Sequence, residues 1–444
     1  MSTSQKEQLY EGTGALNEYI HEQTDADWIT SIRRDAFSRF SSEQWPTTEL
    51  EEWRRTDISS YDFDSYAIKP VEVFSSSVEL PDDASAIIRF VNGVCTGSAL
   101  SDKARDAGLV VASLRDAAAG RHGDELAAVV RTVAEPIMRE NLGNADNKLQ
   151  LWNFASITHG VFVYLPKEAR LDDPIYIETH VDDDEAVLSP YHVVAADSLV
   201  DAMIVQTITG AEEGEVLVNE GIGVSVGEAS HVRFMAVQNL NLDSTYFCFG
   251  NGSIQKDGDL QHYLCNFGCM LSKSRFDCTL DGPGSLVRLN GLYFPFEDQQ
   301  MDMRTVQHHR APHAESRTYY KGAVRDEAHA IYQGLIEVAP NATKTDAYLT
   351  NKNLVMNDGA RSDSIPTLQI NTDDVRCSHG SSTGKLDPMQ LHYLHSRGYT
   401  PIEAEETLLM GFFEDIIDKA PERLQNELRA LVSRRVYEAH DNDD

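Results

Sequence analysis

The sequence predicts a mainly β protein built around a stacked β-solenoid, with helices at both ends. From about residue 152 to residue 370, short strands recur with Gly, Asp or Asn between them, and almost no credible long helix interrupts them. Apolar and polar residues alternate along these strands, so each strand has an inward and an outward face. No strict repeat is visible, and a sandwich or barrel stays open as an alternative. Turn signals that continue along the whole stretch favour the solenoid.

This texture divides the chain into three regions. Residues 1–150 form an N-terminal helical and mixed region, residues 151–380 the β-helix core, and residues 381–444 a C-terminal helical region. Strand candidates in the core include Val161–Leu165, Tyr191–Ala195, Glu215–Val218, Arg275–Leu280 and Ala330–Val338.

The N-terminal region begins with helical spacing over Leu16–Phe40. Thr48 followed by Glu51 is a capping-box signal, which predicts a short helix that carries Trp53. Helical spacing returns over Glu125–Asn141. The mixed region is therefore expected to contain at least these helices, together with short strands.

Clear start and stop signals mark the helices of the C-terminal region. Asp387 is placed to cap a helix whose first residue is Pro388, and Gly398 ends it. Thr400 and Glu403 begin the next helix. A third helix follows, with apolar residues on one face at Leu424, Leu428, Leu431 and Val432.

The composition is strongly acidic. Asp and Glu number 71 against 38 Lys and Arg, which gives a formal net charge of −33. Such a surface repels phosphate groups, which argues against nucleic acid or an anionic membrane as a partner. The carboxylates are spread along the chain and only 12 basic residues are Lys, so we interpret the charge as adaptation to high salt, with an ordinary acidic protein as the alternative.

Two further features bear on location. No stretch approaches the roughly 18 apolar residues of a spanning helix, and the N-terminus lacks the apolar core of a signal peptide. Six cysteines are too few for a disulfide framework in 444 residues. We therefore expect a cytoplasmic protein with reduced thiols.

Cys265 and Cys269 would lie about 13 Å apart on a strand, too far to share a metal ion unless Gly268 folds the chain.

The chain contains none of the common phosphate-loop, nucleophile-elbow or zinc-protease motifs. Cys377 and His379 are the first candidate site. Alternate residues of a strand share a face, so the thiol and the imidazole are expected to project side by side, with Cα atoms about 6.6 Å apart. Thiolate and imidazole suit zinc or iron–sulfur chemistry, but two ligands cannot close a four-coordinate site. A buried cysteine beside a turn histidine is the structural alternative.

Two other clusters are candidates. One is a polar and histidine-rich stretch that reads either as a metal patch or as a hydrogen-bonded ladder: Asp302, Thr305, Gln307, His308, His309, His313 and Ser316. The other lies on the C-terminal helices, where Gly411 inside a helix costs about 1 kcal/mol relative to Ala and suggests close approach of another backbone. Self-packing of the helices and a docking surface are both open for this cluster, whose members are Leu391, Tyr393, Leu394, Arg397, Gly411 and Phe412.

The motif Cys377-Ser-His-Gly-Ser-Ser-Thr-Gly-Lys-Leu-Asp387, followed by Gln390–Gly398, resembles the signature of the SufB/SufD family of iron–sulfur cluster assembly proteins. Residues 302–316 and the Pro366–Ile370 segment follow the family's core pattern, and Glu52–Asp57 resembles its N-terminal motif. SufB-type members typically carry Glu-His-Glu-Ala where this chain has Cys377-Ser-His-Gly, which favours the SufD type.

The resemblance implies a right-handed parallel β-helix and a non-catalytic scaffold subunit. It implies pairing with a SufB-type subunit through the β-helix, and docking of a SufC-type ATPase through the C-terminal helices. His379, with Cys377 beside it, would then contribute to nascent cluster formation or iron entry. No cofactor would be stably bound; iron or a cluster would be transient and shared with the partner.

Two alternative functions remain open at this point. A SufB-like scaffold that works as a homodimer would use the same fold. A β-helix polysaccharide lyase or hydrolase would need paired carboxylates in an exposed groove and, in most cases, a secretion signal.

Overall fold

The computed structural model describes residues 16–63, 66, 68 and 78–441. Its strands are β1 (Ala86–Val91), β2 (Val94–Leu100), β3 (Val110–Ser113), β4 (Val161–Leu165), β5 (Ile175–Val181), β6 (Ala186–Leu188), β7 (Tyr191–Ala196), β8 (Asp201–Gly210), β9 (Val216–Val226), β10 (His231–Asn239), β11 (Thr245–Ile254), β12 (Asp259–Asn266), β13 (Leu271–Leu280), β14 (Leu286–Tyr293), β15 (Gln300–His309), β16 (Glu315–Val324), β17 (His329–Val338), β18 (Asp346–Val355), β19 (Arg361–Ile370) and β20 (Arg376–Gly384).

The helices lie towards the two ends of the chain. They are α1 (described over residues 16–22), α2 (Asp27–Phe40), α3 (Asp102–Asp106), α4 (Leu114–Ala118), α5 (Asp124–Asn144), α6 (Lys148–Ser156), α7 (Pro388–Ser396), α8 (Pro401–Ile417) and α9 (Glu422–Asp441), with a turn of 3₁₀-helix at Glu51–Trp53. None of the described helices combines the length and the hydropathy that are needed to span a bilayer.

The strands form two ten-stranded sheets, and the chain alternates between them. The first sheet has the order β2-β1-β5-β8-β10-β12-β14-β16-β18-β20, and the second has β19-β17-β15-β13-β11-β9-β7-β4-β3, with β6 beside β9. From β7 onward each strand pairs in parallel with the strand two places along the chain, as β16 does with β18. Each turn of the chain therefore adds one rung to both sheets, which confirms the predicted parallel β-solenoid.

Inward-facing side chains fill the solenoid with one continuous apolar core, and outward-facing ones are covered or exposed according to position. On β18, Ala347 and Leu349 point inward and are buried, whereas Tyr348 between them is exposed. Close stacking of the rungs also requires a small residue at some positions. A Cβ atom at Gly291 would lie 2.2 Å from the Tyr320 ring, so a larger residue there would push adjacent rungs apart.

The helices cover the outer faces of the two sheets. In the second sheet, the outer face carries α1, α2, α5 and α6, which pack around residues such as Tyr191 and Phe247. In the first sheet, α8 and α9 bury Phe413 and Leu428 against the outer side chains of β8 to β16. Strands β1 to β3 precede residue 150 but belong to the two sheets, so the solenoid includes part of the N-terminal mixed region.

The two ends of the solenoid differ. At the N-terminal end, β2 and β3 run antiparallel to their neighbours, and Ala104 of α3 joins the inner core. At the other end, β19 and β20 are the last strands of the two sheets, and in the described part of the chain each pairs on one side only. We call the terminal rung formed by β19 and β20 the open end.

The expected capping box at Thr48 and Glu51 is wrong. Leu50 occupies the N-cap of the short 3₁₀-helix, without a side-chain cap. Trp53 is buried, and the following Thr56 side chain bonds to the second sheet, so contacts with the sheet rather than local capping set this conformation. By contrast, the predicted capping box of Thr400 and Glu403 is present at the start of α8.

Candidate functional site

Cys377 and His379 lie on β20 at the open end. Cys377 is in register with Ala347 and His379 with Leu349, and both of these β18 residues point into the core. The two candidate side chains therefore project on the same, inward side of the last strand, as strand alternation predicts. Cys377 is half-buried and packs against the core, whereas His379 is exposed. This arrangement leaves both groups accessible to a partner that stacks on the open end.

The electrostatics of the site favour a neutral thiol in the isolated chain. Burial raises the pKa of the Cys377 thiol, and the nearby Asp346 carboxylate adds to this shift. A metal ligand must be the thiolate, so an added cation would have to displace the proton. No group of three or more His, Cys, Asp or Glu side chains that could hold a metal occurs among the described residues. A metal site at Cys377 and His379 would therefore need further ligands from outside the described residues.

The remaining inward positions of β20 are polar. Ser381 and Thr383 on β20 lie over Asn351 and Asn353 of β18. Beneath them, the Asn351 side-chain amide donates to the Tyr293 hydroxyl at 3.0 Å. The Asn353 side-chain amide donates to the side-chain oxygen Oδ1 of Asn351 at 2.7 Å. The rung under Ser381 and Thr383 is therefore held by buried hydrogen bonds, while the rung under Cys377 and His379 is apolar.

Two serines complete this end from the second sheet. Ser362 and Ser364 of β19 are in register with the buried Ala330 and Tyr332, so they face inward. Their hydroxyl oxygens are buried without a hydrogen-bond partner among the described residues. Sequence reasoning did not single out these serines, because isolated serines in a strand carry no local signal.

The histidine-rich stretch does not form a metal patch in the described structure. His309 points inward and its Nε2 lies 2.9 Å from the Ser316 hydroxyl, whereas His308 points outward and pairs with Glu337 at 2.6 Å. Burial lowers the pKa of His309 to about 4, so it is neutral at physiological pH. His313 occupies a turn with positive φ. Strand alternation therefore places these residues on two different faces. Of the two interpretations of this stretch, the structure agrees with side chains that form hydrogen bonds between neighbouring strands.

The Cys265–Cys269 pair is also divided. Cys265 faces outward beneath the C-terminal helices, while Cys269 follows a turn and faces the inner core. Burial raises the pKa of both thiols, to about 12 for Cys265. Both cysteines are buried, and they belong to different clusters of apolar side chains rather than to a shared metal site.

The predicted docking cluster lies on α7 and the adjacent part of α8. No residue of α7 is buried; Met389 is 78% exposed and Tyr393 is 55% exposed. Leu391 and Leu394 are partly covered, and the Arg397 guanidinium donates to the Tyr393 hydroxyl at 2.9 Å. This helix therefore contributes little to the core and presents both apolar and polar side chains to the outside.

Gly411 and Phe412 lie within α8, directly before the buried Phe413. Gly411 is exposed, and a Cβ atom there would have no neighbour within 4 Å, so this chain supplies no reason for a glycine. The Phe412 carbonyl accepts a hydrogen bond from Lys321 of β16 at 2.5 Å, and the same ammonium bonds Asp415 at 2.8 Å. Lys321 therefore fastens α8 to the first sheet, two strands from the open end.

A second fastening, which sequence reasoning also missed, holds the segment Glu52–Thr56 on the outer face of the second sheet. We call this segment the N-terminal strap. Lys273 and Asp302, which are 1% and 0% exposed, pair at 2.6 Å beneath it. Lys273 also donates to the Glu52 carbonyl at 3.1 Å, and the Thr56 hydroxyl donates to Asp302 at 2.6 Å.

The family comparisons cover nearly the whole chain. Residues 179–412 match the family described as "SUF system FeS cluster assembly, SufBD core domain", and residues 3–177 match the "SufBD protein N-terminal region".

The chain belongs to the SufB/SufD family.

Individual relatives agree with this assignment. The chain is 24% identical over 438 residues to "Iron-sulfur cluster assembly protein SufD" of Bacillus subtilis, which covers 95% of this chain and 97% of that protein. It is 27% identical over 247 residues to the protein of the same name from Escherichia coli, covering 55% and 58% of the two chains. A SufBD family protein of Mycobacterium leprae is 29% identical over 292 residues, covering 64% and 74%. The expected family is confirmed, and the chain is an iron–sulfur cluster assembly protein of this family.

Proposed function

We propose that the chain is a non-catalytic scaffold subunit that pairs with a SufB-type subunit through the open end and docks a SufC-type ATPase through α7 and the exposed part of α8. Iron or a nascent cluster is the cargo of this assembly, held transiently between the two solenoids. The observation that carries the proposal is the position of Cys377 and His379 on the terminal rung, side by side and accessible.

The geometry of the open end supports pairing with another solenoid. β19 and β20 are 10 and 9 residues long, and such exposed edges readily accept a further strand. A stacked rung would lie about 4.8 Å from β20, which brings the partner's inward side chains next to Cys377 and His379. Two further ligands from the partner would complete a four-coordinate set.

The C-terminal helices support docking of the ATPase. α7 exposes a methionine and two nearby tyrosines, Tyr393 and Tyr399, which is the composition of a protein interface rather than of a solvated helix. The open space at Gly411 allows a partner's backbone to approach α8. Because Lys321 ties α8 to β16, a movement of the docked ATPase would be transmitted to the rungs next to the open end.

The net charge and the free thiols are consistent with a function in the cytoplasm, without nucleic acid or a membrane as a partner. A net charge of −33 disfavours nucleic acid and anionic membranes as partners. All six cysteines are free, which suits a reducing cytoplasm. The family assignment favours cluster assembly over a β-helix polysaccharide lyase or hydrolase.

Co-expression with a SufB-type subunit and a SufC-type ATPase tests the proposal. We expect a three-component complex that carries iron, and we expect His379→Ala to assemble normally but to hold less iron. His231→Ala is the matched control, because His231 is an exposed strand histidine far from the open end, on β10. Equal iron loading in both variants would contradict the role of His379. A stable dimer of the chain alone that excludes the SufB-type subunit would instead favour the homodimeric scaffold.

Docking of the ATPase is best tested on the surface of α7. Removal of residues 387–444 would also strip α8 and α9 from the first sheet and expose the side chains that they cover, such as Phe413. The double change Met389→Ala and Tyr393→Ala leaves the core intact, since both side chains are exposed. Val129→Ala, at an exposed apolar residue of α5, is the control. We expect the α7 variant alone to lose ATPase binding; retained binding would refute the assignment of this surface.

A further inference from the structure

The N-terminal strap reaches the open end through Arg55. Its Nε forms an ion pair with the Asp363 carboxylate at 3.3 Å, and Asp363 lies on β19, the last strand of the second sheet. Two hydrogen bonds hold the backbone of the strap against the second sheet. The Gln333 side-chain amide donates to the Glu52 backbone carbonyl at 3.0 Å, and the Gln300 side-chain amide donates to the Arg55 backbone carbonyl at 2.8 Å. Arg55 is therefore held at the free edge by its own backbone.

The cluster around Asp363 has more donors than acceptors. Its Oδ2 atom accepts hydrogen bonds from the Arg361 guanidinium at 2.9 Å and from the His329 ring at 3.1 Å, and it forms an ion pair with Arg55 at 3.3 Å. Two permanent cations thus share one carboxylate, which leaves a local charge of about +1 in a strongly acidic protein. Burial lowers the pKa of His329, so this ring adds no cation near neutral pH.

One guanidinium nitrogen of this cluster has no hydrogen-bond partner among the described residues. Arg55 is 28% exposed as a side chain, yet its Nη1 atom is buried and makes no hydrogen bond with the described residues. A buried donor without an acceptor is costly, and arginine is suited to bind two carboxylates or one carboxylate through both nitrogens. No described residue supplies this acceptor, and the exposed part of the same side chain lies beside the unpaired edge of β19.

We propose that Arg55 is a specificity-determining contact of the open end, and that it binds a carboxylate which the partner solenoid places beside the edge of β19. This inference rests on the proposed pairing of the open end. The partner's next rung would lie about 4.8 Å beyond Asp363, within reach of the Arg55 fork. The strap then has a function: it carries a cation from the N-terminal region to a partner interface that is otherwise built by the last two strands.

The test compares variants of two adjacent arginines in the full chain. Arg54→Ala is the control, because Arg54 is exposed and pairs with the exposed Glu51 at 2.6 Å. Binding to the SufB-type subunit is measured by calorimetry for the wild type, Arg54→Ala, Arg55→Ala and Arg55→Lys, at low and at molar salt. Hydrogen exchange of residues 51–57 in each unbound chain reports whether the strap stays in place.

We expect Arg55→Ala to weaken binding roughly 10- to 100-fold, the usual effect of losing a hydrogen bond to a charged group. Arg55→Lys should also bind more weakly than the wild type, since its single ammonium lacks the second nitrogen, and Arg54→Ala should bind normally. Strap protection should be the same in all four chains. Wild-type affinity in both Arg55 variants would overturn the inference, and so would a loss of affinity that appears only together with loss of strap protection. Failure of the wild-type chain to bind would instead refute the proposed pairing itself.

Discussion

Replacement of Asp302 by Leu tests how the N-terminal strap is held, and the structure sets the size of the effect. Asp302 accepts hydrogen bonds from Lys273 and Thr56 at 2.6 Å each, and from the Gln333 amide at 3.3 Å. Without this carboxylate, the partners of the Lys273 ammonium among the described residues are the Glu52 backbone carbonyl and the Trp53 ring, which lies 4.5 Å away. Removal of one member of a buried pair costs about 3–5 kcal/mol, because the other charge stays buried without compensation.

Opening of the strap limits this loss. If the strap detached, Lys273 would regain water, but Trp53 would lose its burial, which costs about 1.5–3 kcal/mol for a large apolar side chain. The smaller of the two costs sets the loss, so we expect Asp302→Leu to lower the free energy of unfolding by about 1.5–3 kcal/mol and to speed hydrogen exchange in residues 51–57. The double variant Lys273→Met with Asp302→Leu should recover most of the stability, since it removes both charges.

Urea unfolding followed by circular dichroism, together with hydrogen exchange, measures both effects. Thr56→Val serves as a milder comparison, because it removes one neutral donor and leaves the ion pair intact. A loss below about 1 kcal/mol in Asp302→Leu, with the strap still protected, would show that the ion pair and the strap are not coupled as described.

Three further predictions concern the open end, the docking helix and the surface charge. Gly411→Ala should raise the free energy of unfolding by about 1 kcal/mol, since the site is an exposed helix interior with room for a Cβ, yet weaken ATPase binding; unchanged binding would argue against close approach of a partner there. Cys377 has a raised pKa, so its thiolate fraction is small at neutral pH and its rate of alkylation should increase about tenfold per pH unit until the raised pKa is reached; a plateau below pH 8 would contradict this environment. Molar KCl should raise the melting temperature steeply, because it screens a net charge of −33, and a flat response would refute adaptation to high salt.

The sequence predicted the fold class because a solenoid repeats simple physics in each rung. Strand alternation was enough to place Cys377 and His379 on one face, and the same rule explains why His308 and His309 lie on opposite faces. Local capping was predicted correctly where the helix end is exposed, as at Thr400. It failed at Thr48, where contacts between the following segment and a distant sheet determine the conformation.

Contacts between residues far apart in the chain were out of reach of sequence reasoning. Thr56 and Asp302 are 246 positions apart, and Lys321 and Phe412 are 91 apart. The residues next to Lys273 and Lys321 in the sequence give no sign of these contacts. Each contact depends on elements that meet only in the folded chain. The unpartnered Nη1 of Arg55 is of the same kind, since it is defined by the surroundings of β19 and not by any local motif.

Iron content of the co-purified assembly measures the central claim most directly. The wild-type chain should purify with a SufB-type subunit and with iron, and a chain that carries both Cys377→Ser and His379→Ala should form the same complex with little iron. A doubly substituted complex that holds as much iron as the wild type would contradict the account, because the two side chains that share the last strand would then play no part in holding the cargo.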